Sequence, residues 1–389
     1  MAVTAPPAYP FVEVRLNLAG LKPIAQRAPG VVAVVGTASA GSSNNPTEVG
    51  DSAEVKSTFG ATGSLQSSLN IALGQSPRPS KIYGVRVAVD GNNVPDYVTA
   101  LSSIEGVDDI TMVSLASEPA LGTQANPRLL ALLSHVESTS ADGNRRMGFA
   151  MVDPQIAKAQ TGGYPAKVNT DYGSLKTDKS RMVLIAARGA VDPNGQTPDV
   201  ATAAMAAVAG YQPHISAVLK QVGGFSIPPA ARFNGTEVKA LSANNMIPVL
   251  DPAMISGEGL FLGEGRCYTT KEELLYVDLV RTLDQIEFEL KAGLIGSIGD
   301  ARITKAGMMG IRLRTEAILG LIQRREMIDG FKVGIPVLDA LLIPETARSG
   351  VDKQVITLAR QTRQVEMNVE ITYGPAVHNL IVNLSPVFA

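Results

Sequence analysis

Val31-Val32-Ala33-Val34-Val35-Gly36 is an unbroken run of β-branched and small apolar residues closed by glycine, with Pro29-Gly30 punctuating the chain before it. A strand with one wet face alternates polar and apolar residues. A run that stays apolar throughout suits a strand buried on both faces, the condition of a parallel strand inside an α/β sheet. Runs of the same kind return at Ile82 to Val87, Asp109 to Leu115, Arg146 to Val152 and Arg181 to Ala187, with a shorter one inside Asn244 to Leu250. Between them, Ser52 to Phe59 followed by Gly60, Leu65 to Leu73, and Pro127 to Thr139 read as helices. The Ala-rich stretch from Pro198 to Gly210 has strong helix propensity and side chains small enough for close packing. Buried strands alternating with helices predict a mostly parallel α/β sheet covered on both faces. Gln155 to Ser180, polar and carrying Gly162-Gly163-Tyr164-Pro165, is expected to be a surface excursion.

The composition shifts near Thr269. Thr270-Lys271-Glu272-Glu273 has the form of a capping box, opening a helix with Tyr276, Leu279, Val280, Leu283, Ile286 and Leu290 on one stripe. A second amphipathic helix is expected from about Ile311 to Ile328. Then Val365, Met367, Val369, Ile371 and Tyr373 alternate with polar residues, as in a strand with one buried face. Gly374-Pro375 marks a sharp turn, and Val377 to Leu384, with Leu380 and Val382, carries a more apolar strand. At the other end of the chain, Phe11 to Leu18 places Val12, Val14, Leu16 and Leu18 on one face. A two-stranded ribbon is marginal alone and exposes edges that invite further strands. Strands at both termini therefore suit a chain linked to copies of itself. The expected organisation is an arm over 1–28, an α/β unit over 29–269 and an α+β unit over 270–389.

The 389 residues carry a net charge of −2, with 18% charged and 5% aromatic residues and no Trp. No global field and few stacking platforms argue against direct nucleic-acid binding. The single cysteine, Cys267, excludes an intrachain disulfide framework and a Cys-rich metal site. The first residues lack the charged and apolar regions of a signal peptide, and the apolar runs fall short of the ~20 residues of a membrane span. A soluble protein made in a cytoplasm, without membrane insertion, is expected. Of the three histidines, His135, His214 and His378, none sits in the sequence setting of a Ser-His-Asp triad. Gly257 to Gly263 has the wrong spacing for a phosphate loop and reads as a loop beside a short strand. No calcium or zinc ligand spacing is present, and Cys267 reads as structural, so neither catalysis nor a cofactor is expected. Lys291 to Lys332 has a basic excess that includes Arg312, Arg314, Arg324 and Arg325. It fits either a solvated helix face or a face for an acidic partner.

The order of these pieces resembles the tail sheath proteins of contractile phage tails and related contractile injection systems. The resemblance rests on Val31 to Thr37 after Pro29-Gly30, Phe59-Gly60 before Ile82 to Val87, and His135-Val136-Glu137 before Arg146 to Pro154. It continues through Ala207 to Gly210, Asn244 to Ile247, and Tyr276-Val277-Asp278 with Arg281. The resemblance implies a subtilisin-like middle domain and terminal strands exchanged between subunits. It further implies a homo-oligomer of stacked hexameric rings around an inner tail tube, with baseplate and tail terminator proteins as partners in a virion tail. Contraction would drive the tube through a target envelope, with Arg312, Arg314, Arg324 and Arg325 facing an acidic tube. An oligomeric α/β hydrolase and a shell or surface-layer protein are the alternatives.

Overall fold

The computed structural model describes residues 28, 30–92, 94–120, 127–252 and 259–378. Phe11 to Leu18, Leu380, Val382 and Leu384 lie outside them. Nine strands form one sheet: β1 Val31–Gly36, β2 Thr47–Glu48, β3 Lys81–Arg86, β4 Met112–Ala120, β5 Met147–Val152, β6 Met182–Ala186, β7 Gln221–Val222, β8 Ile247–Leu250 and β9 Leu260–Leu262. Their order is β2-β3-β1-β4-β5-β6-β8-β9-β7. The interior pairs from β3 to β8 are parallel, and short antiparallel strands close both edges. Every residue of β1 is buried. Val32 and Val34 enter one core, while Val31, Ala33 and Val35 enter the core on the opposite face. That two-sided burial is the physical reason its sequence does not alternate.

On the first face lie α1 Ser52–Phe59, α2 Ser64–Leu73 and α6 Val200–Ala209. All ten residues of α6 are buried. A Cβ on Gly30 would come within 1.9 Å of the Ala209 carbonyl oxygen, so only glycine lets β1 begin this close to the helix end. The second face carries α3 Tyr97–Ser103, α4 Pro127–Ala141, α5 Tyr164–Tyr172 and α7 Gly235–Ala243. Helix α5 corrects the reading of Gln155 to Ser180 as a surface excursion. Tyr164, Val168 and Tyr172, spaced i, i+4, i+8, are buried in the second core, with Leu175 following. Lys167 and Thr170 between them made the segment look polar.

Under α4, Arg146 is wholly buried. Its guanidinium donates to the carbonyls of Ile104 and Val107, each at 2.8 Å, and to His135 Nε2 at 3.1 Å. Burial and the Arg146 charge push His135 down to about 4. Below its ordinary pKa of 6.5 the unfolded chain takes up a proton that the folded chain refuses, so stability falls as pH drops from about 6.5 to about 4. The loss expected is at most roughly 3 kcal/mol, because Glu105 Oε1, 3.8 Å from Nδ1, favours the charged ring. Urea unfolding of the parent and a His135→Gln variant at pH 7 and pH 4.5 checks it. A parent slope no steeper than the variant's would refute the assignment.

The C-terminal part contains α8 Val277–Leu294, α9 Lys305–Arg324, β10 Gly330–Gly334, α10 Pro336–Leu342, α11 Gly350–Thr362 and β11 Asn368–Thr372. The capping box at Thr270 does not form. Thr269 Oγ1 instead accepts from the Lys271 N–H at 3.0 Å, a 3-10 turn covers Glu272–Leu274, and α8 starts behind Tyr276. Helix α9 begins earlier than expected because Thr304 caps it, its side chain accepting from Gly307 N–H. Glu326, with φ +60°, turns the chain toward β10. The first turns of α8 belong to the first sheet core through Val277 and Val280. Further along, Ile286 joins Ile318, Leu319 and Ile322 of α9.

Candidate functional site

In an open α/β sheet the default ligand crevice lies at the carboxyl ends of the strands where the connections change sides. Here that point is β1, since the chain leaves it for β3 on one side and returns from β3 to β4 on the other. The crevice is stitched by side chains. Asp199, the N-cap of α6, accepts from Ser68 Oγ and Thr202 Oγ1 at 2.6 Å, from Thr202 N–H at 2.9 Å and from Ser117 N–H at 3.0 Å. Beside it, Thr37 Oγ1 and Ser64 Oγ share a hydrogen bond of 3.0 Å. A buried carboxylate with four donors is fully satisfied and ties α2, α6 and the bulge of β4 together.

The three histidines are apart. His135 belongs to the Arg146 cluster, and burial pushes His214 down. His378 Nε2 lies 2.9 Å from Ser216 Oγ, and its ring meets Tyr276 edge-on with centroids 4.9 Å apart. Ser216 Oγ also accepts from Val218 N–H at 3.2 Å. Among the described residues no carboxylate is hydrogen-bonded to His378, so the serine–histidine contact lacks the third group that orients a triad. Cys267 is buried, and burial pushes its thiol up, away from the thiolate that reactivity needs. No group of His, Cys, Asp and Glu among the described residues could hold a metal ion.

The second sheet is the exposed feature. β10 and β11 pair antiparallel, from Gly330 opposite Thr372 to Gly334 opposite Asn368. Val369 and Ile371 face α9 together with Phe331 and Val333, while Lys332 and Glu370 pair on the outside at 3.7 Å. Among the described residues the sheet has two strands only, so the outer edge of each is open. On one side β11 pairs with Gly330–Gly334, a strand too short and glycine-flanked to stand out in sequence, while most of the expected partner strand 377–384 lies outside the described residues. Val365 and Met367 precede β11 and pack onto the cluster around α10 and α11. After β11 the chain returns to the large sheet. Tyr373 Oη donates to buried Asp278 Oδ2 at 2.5 Å, and His378 reaches Ser216. Val377 between them is exposed and not in a strand.

The four arginines of α9 and its C-cap, Arg325, do not share a face. A helix turns about 100° per residue, which sets Arg312 and Arg314 on opposite sides. Arg312 Nε pairs with Glu316 at 2.8 Å, and Arg325 pairs with Glu289 of α8. Arg314 reaches Ser297 Oγ at 3.5 Å, and Arg324 has no ion pair among the described residues. The exposed arc between these two carries Ala317 and Leu321, with Leu313 just beyond Arg324.

No protein-family model and no curated protein matches the sequence. The fold is that of sheath proteins from contractile systems. The chain is similar to one in the PVC sheath complex of an extracellular contractile injection system in its contracted state, with TM-score 0.69 and 13% identity over 98% of both chains. It is similar to one in the baseplate of the anti-feeding prophage, with TM-score 0.66 and 11% identity over 100% of both. A third is the sheath tail protein of Desulfitobacterium hafniense, with TM-score 0.58 and 12% identity over 83% of this chain and 93% of that one.

Proposed function

We propose that the chain is a structural subunit of a contractile tail sheath. It would stack as hexameric rings around an inner tube, with baseplate and tail terminator proteins at the ends, in a virion tail assembled in a host cytoplasm. The observation that carries this reading is the small sheet β10–β11, two-stranded with both edges open among the described residues, set on a fold shared with sheath proteins over nearly the whole chain. Strands from Phe11 to Leu18 and from the part of Val377 to Phe388 beyond His378, donated by neighbours, would extend β10–β11 from its two edges. Main-chain hydrogen bonds of ~1 kcal/mol each sum along such a strand, so the junction holds while the rigid parts rotate. The domain limits are then 1–28 for the arm, 29–269 for a subtilisin-like unit and 270–389 for the unit that receives the strands. Contraction would draw on a metastable extended assembly, shortening it to drive the tube through the target envelope. Negative-stain electron microscopy of the protein expressed alone is the test. Hollow cylinders of stacked sixfold rings are expected, and flat sheets would favour a shell protein instead.

Facing the tube is α9, but with a smaller grip than four arginines. Arg312 and Arg325 are engaged within the chain, which leaves Arg314 and Arg324 beside Leu313 and Leu321. Arg314→Glu with Arg324→Glu should lower co-sedimentation of the tube protein at least tenfold while cylinders still form. Undiminished co-sedimentation would remove α9 as the contact.

A further inference from the structure

Of the seven non-glycine residues held at positive φ among the described residues, Leu219 alone is apolar. Its φ is +56°, in the left-handed region that a bulky side chain enters at a cost and that glycine or asparagine enters readily. The end of β9 fixes it there. Leu219 N–H donates to the Leu262 carbonyl at 2.8 Å, and the Lys220 carbonyl accepts from Leu262 N–H at 3.0 Å. The leucine is nevertheless 50% exposed. Next to it the Lys220 ammonium lies 4.9 Å from the Tyr211 ring centroid and pairs with no carboxylate among the described residues. The turn itself needs no leucine, so the side chain has its use outside the turn. An apolar knob with a cation beside it is thus held rigidly at the β9–β7 edge of the large sheet.

A surface of complementary kind lies at the amino ends of β4 and β5. A cleft of about 520 Å³ is lined there by Phe288, Ala292 and Ile295 of α8 and its C-cap, with Glu105, Asp108 and Asp142 from the turns that precede the two strands. Lys291 also borders it, but Glu287 holds that ammonium at 2.5 Å. Ile295 is 70% exposed. We infer that this cleft receives Leu219 and Lys220 from a second copy of the chain. Charge selects the occupant. The exposed Val94 and Val98 stand beside Asp90 and Asp96, which the three carboxylates would repel. On α11 the exposed Val351 and Leu358 lie across the helix from Lys353 and Arg360. The α9 arc with Arg314 and Arg324 faces the tube in the reading above. Leu219 with Lys220 offers both parts of the complement at one point. Knob and cleft are different surfaces, so each copy gives one and takes one. Such a heterologous contact closes a ring or propagates a helix, and a sheath requires both. The inference rests on the reading of the chain as a self-assembling sheath subunit and adds which surfaces of the large-sheet part meet.

The test uses full-length chains, in which the native Cys267 is buried. Leu219→Cys and Ala292→Cys proteins are mixed, assembled and treated with a short bismaleimide. The result expected is a covalent dimer in the mixture, absent from either protein alone, and at least tenfold weaker when Val98→Cys replaces Leu219→Cys. A mixture that links no better than this control overturns the contact. Cylinders in negative stain without the link overturn the contact and leave the sheath reading intact. The link without cylinders overturns the sheath reading and leaves the contact, and the absence of both overturns the two together. Leu219→Asn keeps the turn, because asparagine accepts positive φ. It should leave the urea midpoint unchanged and raise the concentration at which assembly begins at least tenfold. Unchanged assembly overturns the knob. A lowered midpoint overturns it as well, since Leu219 would then serve the chain's own fold.

Discussion

Deleting residues 1–18 is expected to leave a folded chain that no longer polymerises. The four hydrophobic clusters and both sheets are built from residue 28 onward, so the deletion removes no core contact among the described residues. On the strand-exchange reading it also removes a donated strand from every junction. Main-chain hydrogen bonds at ~1 kcal/mol each and three or four apolar side chains at roughly 1.5–3 kcal/mol each make a gross interaction on the order of 10 kcal/mol, before the cost of ordering the segment. Since the same junction recurs at every subunit, its loss is felt as all or none. Negative-stain images should show dispersed particles, and the urea midpoint should stay within about 1 kcal/mol of the parent. Long cylinders from the truncated chain would end the N-terminal arm hypothesis.

Arg146→Ala should be the most destabilising single change in the large sheet. The guanidinium holds the carbonyls of Ile104 and Val107 at 2.8 Å and of Glu105 at 3.4 Å, at the end of α3 and the turn after it. Truncation strands buried acceptors at about 1–3 kcal/mol each and empties the volume of a wholly buried side chain. A loss of roughly 4–6 kcal/mol is expected, a large fraction of the 5–15 kcal/mol typical of a native protein. Arg146→Lys should recover less than half of it, since one ammonium cannot bridge carbonyls set for a planar fork. A midpoint shift equivalent to less than about 1 kcal/mol for the alanine variant would show that the cluster is dispensable.

The large sheet was legible because burial on both faces writes itself into composition. The run from Val31 to Gly36 matches β1 residue for residue, and the Ala-rich stretch matches α6 to within two residues at its start. Helix α5 was legible in principle through Tyr164, Val168 and Tyr172, but three positions in nine were outweighed by the polar ones between. β10 was not legible. Phe331 and Val333 are its only large apolar residues, and what makes it a strand is β11, more than thirty positions later. The basic helix shows the same division. Glu316 lies at i+4 from Arg312 and was readable as a local pair, whereas the Glu289 that engages Arg325 comes from α8 and is a product of tertiary packing.

The return of the chain over the large sheet fixes a load path. Any pull on the residues beyond His378 reaches Ser216 and the Tyr276 ring before it can reach β11. The next anchor inward, Tyr373 on Asp278, sits one turn from Arg281, whose guanidinium holds the Val208 and Tyr211 carbonyls at the end of α6. A pull on the tail would therefore be delivered to α6, all ten of whose residues are buried, and the two-stranded sheet would be spared from being peeled apart.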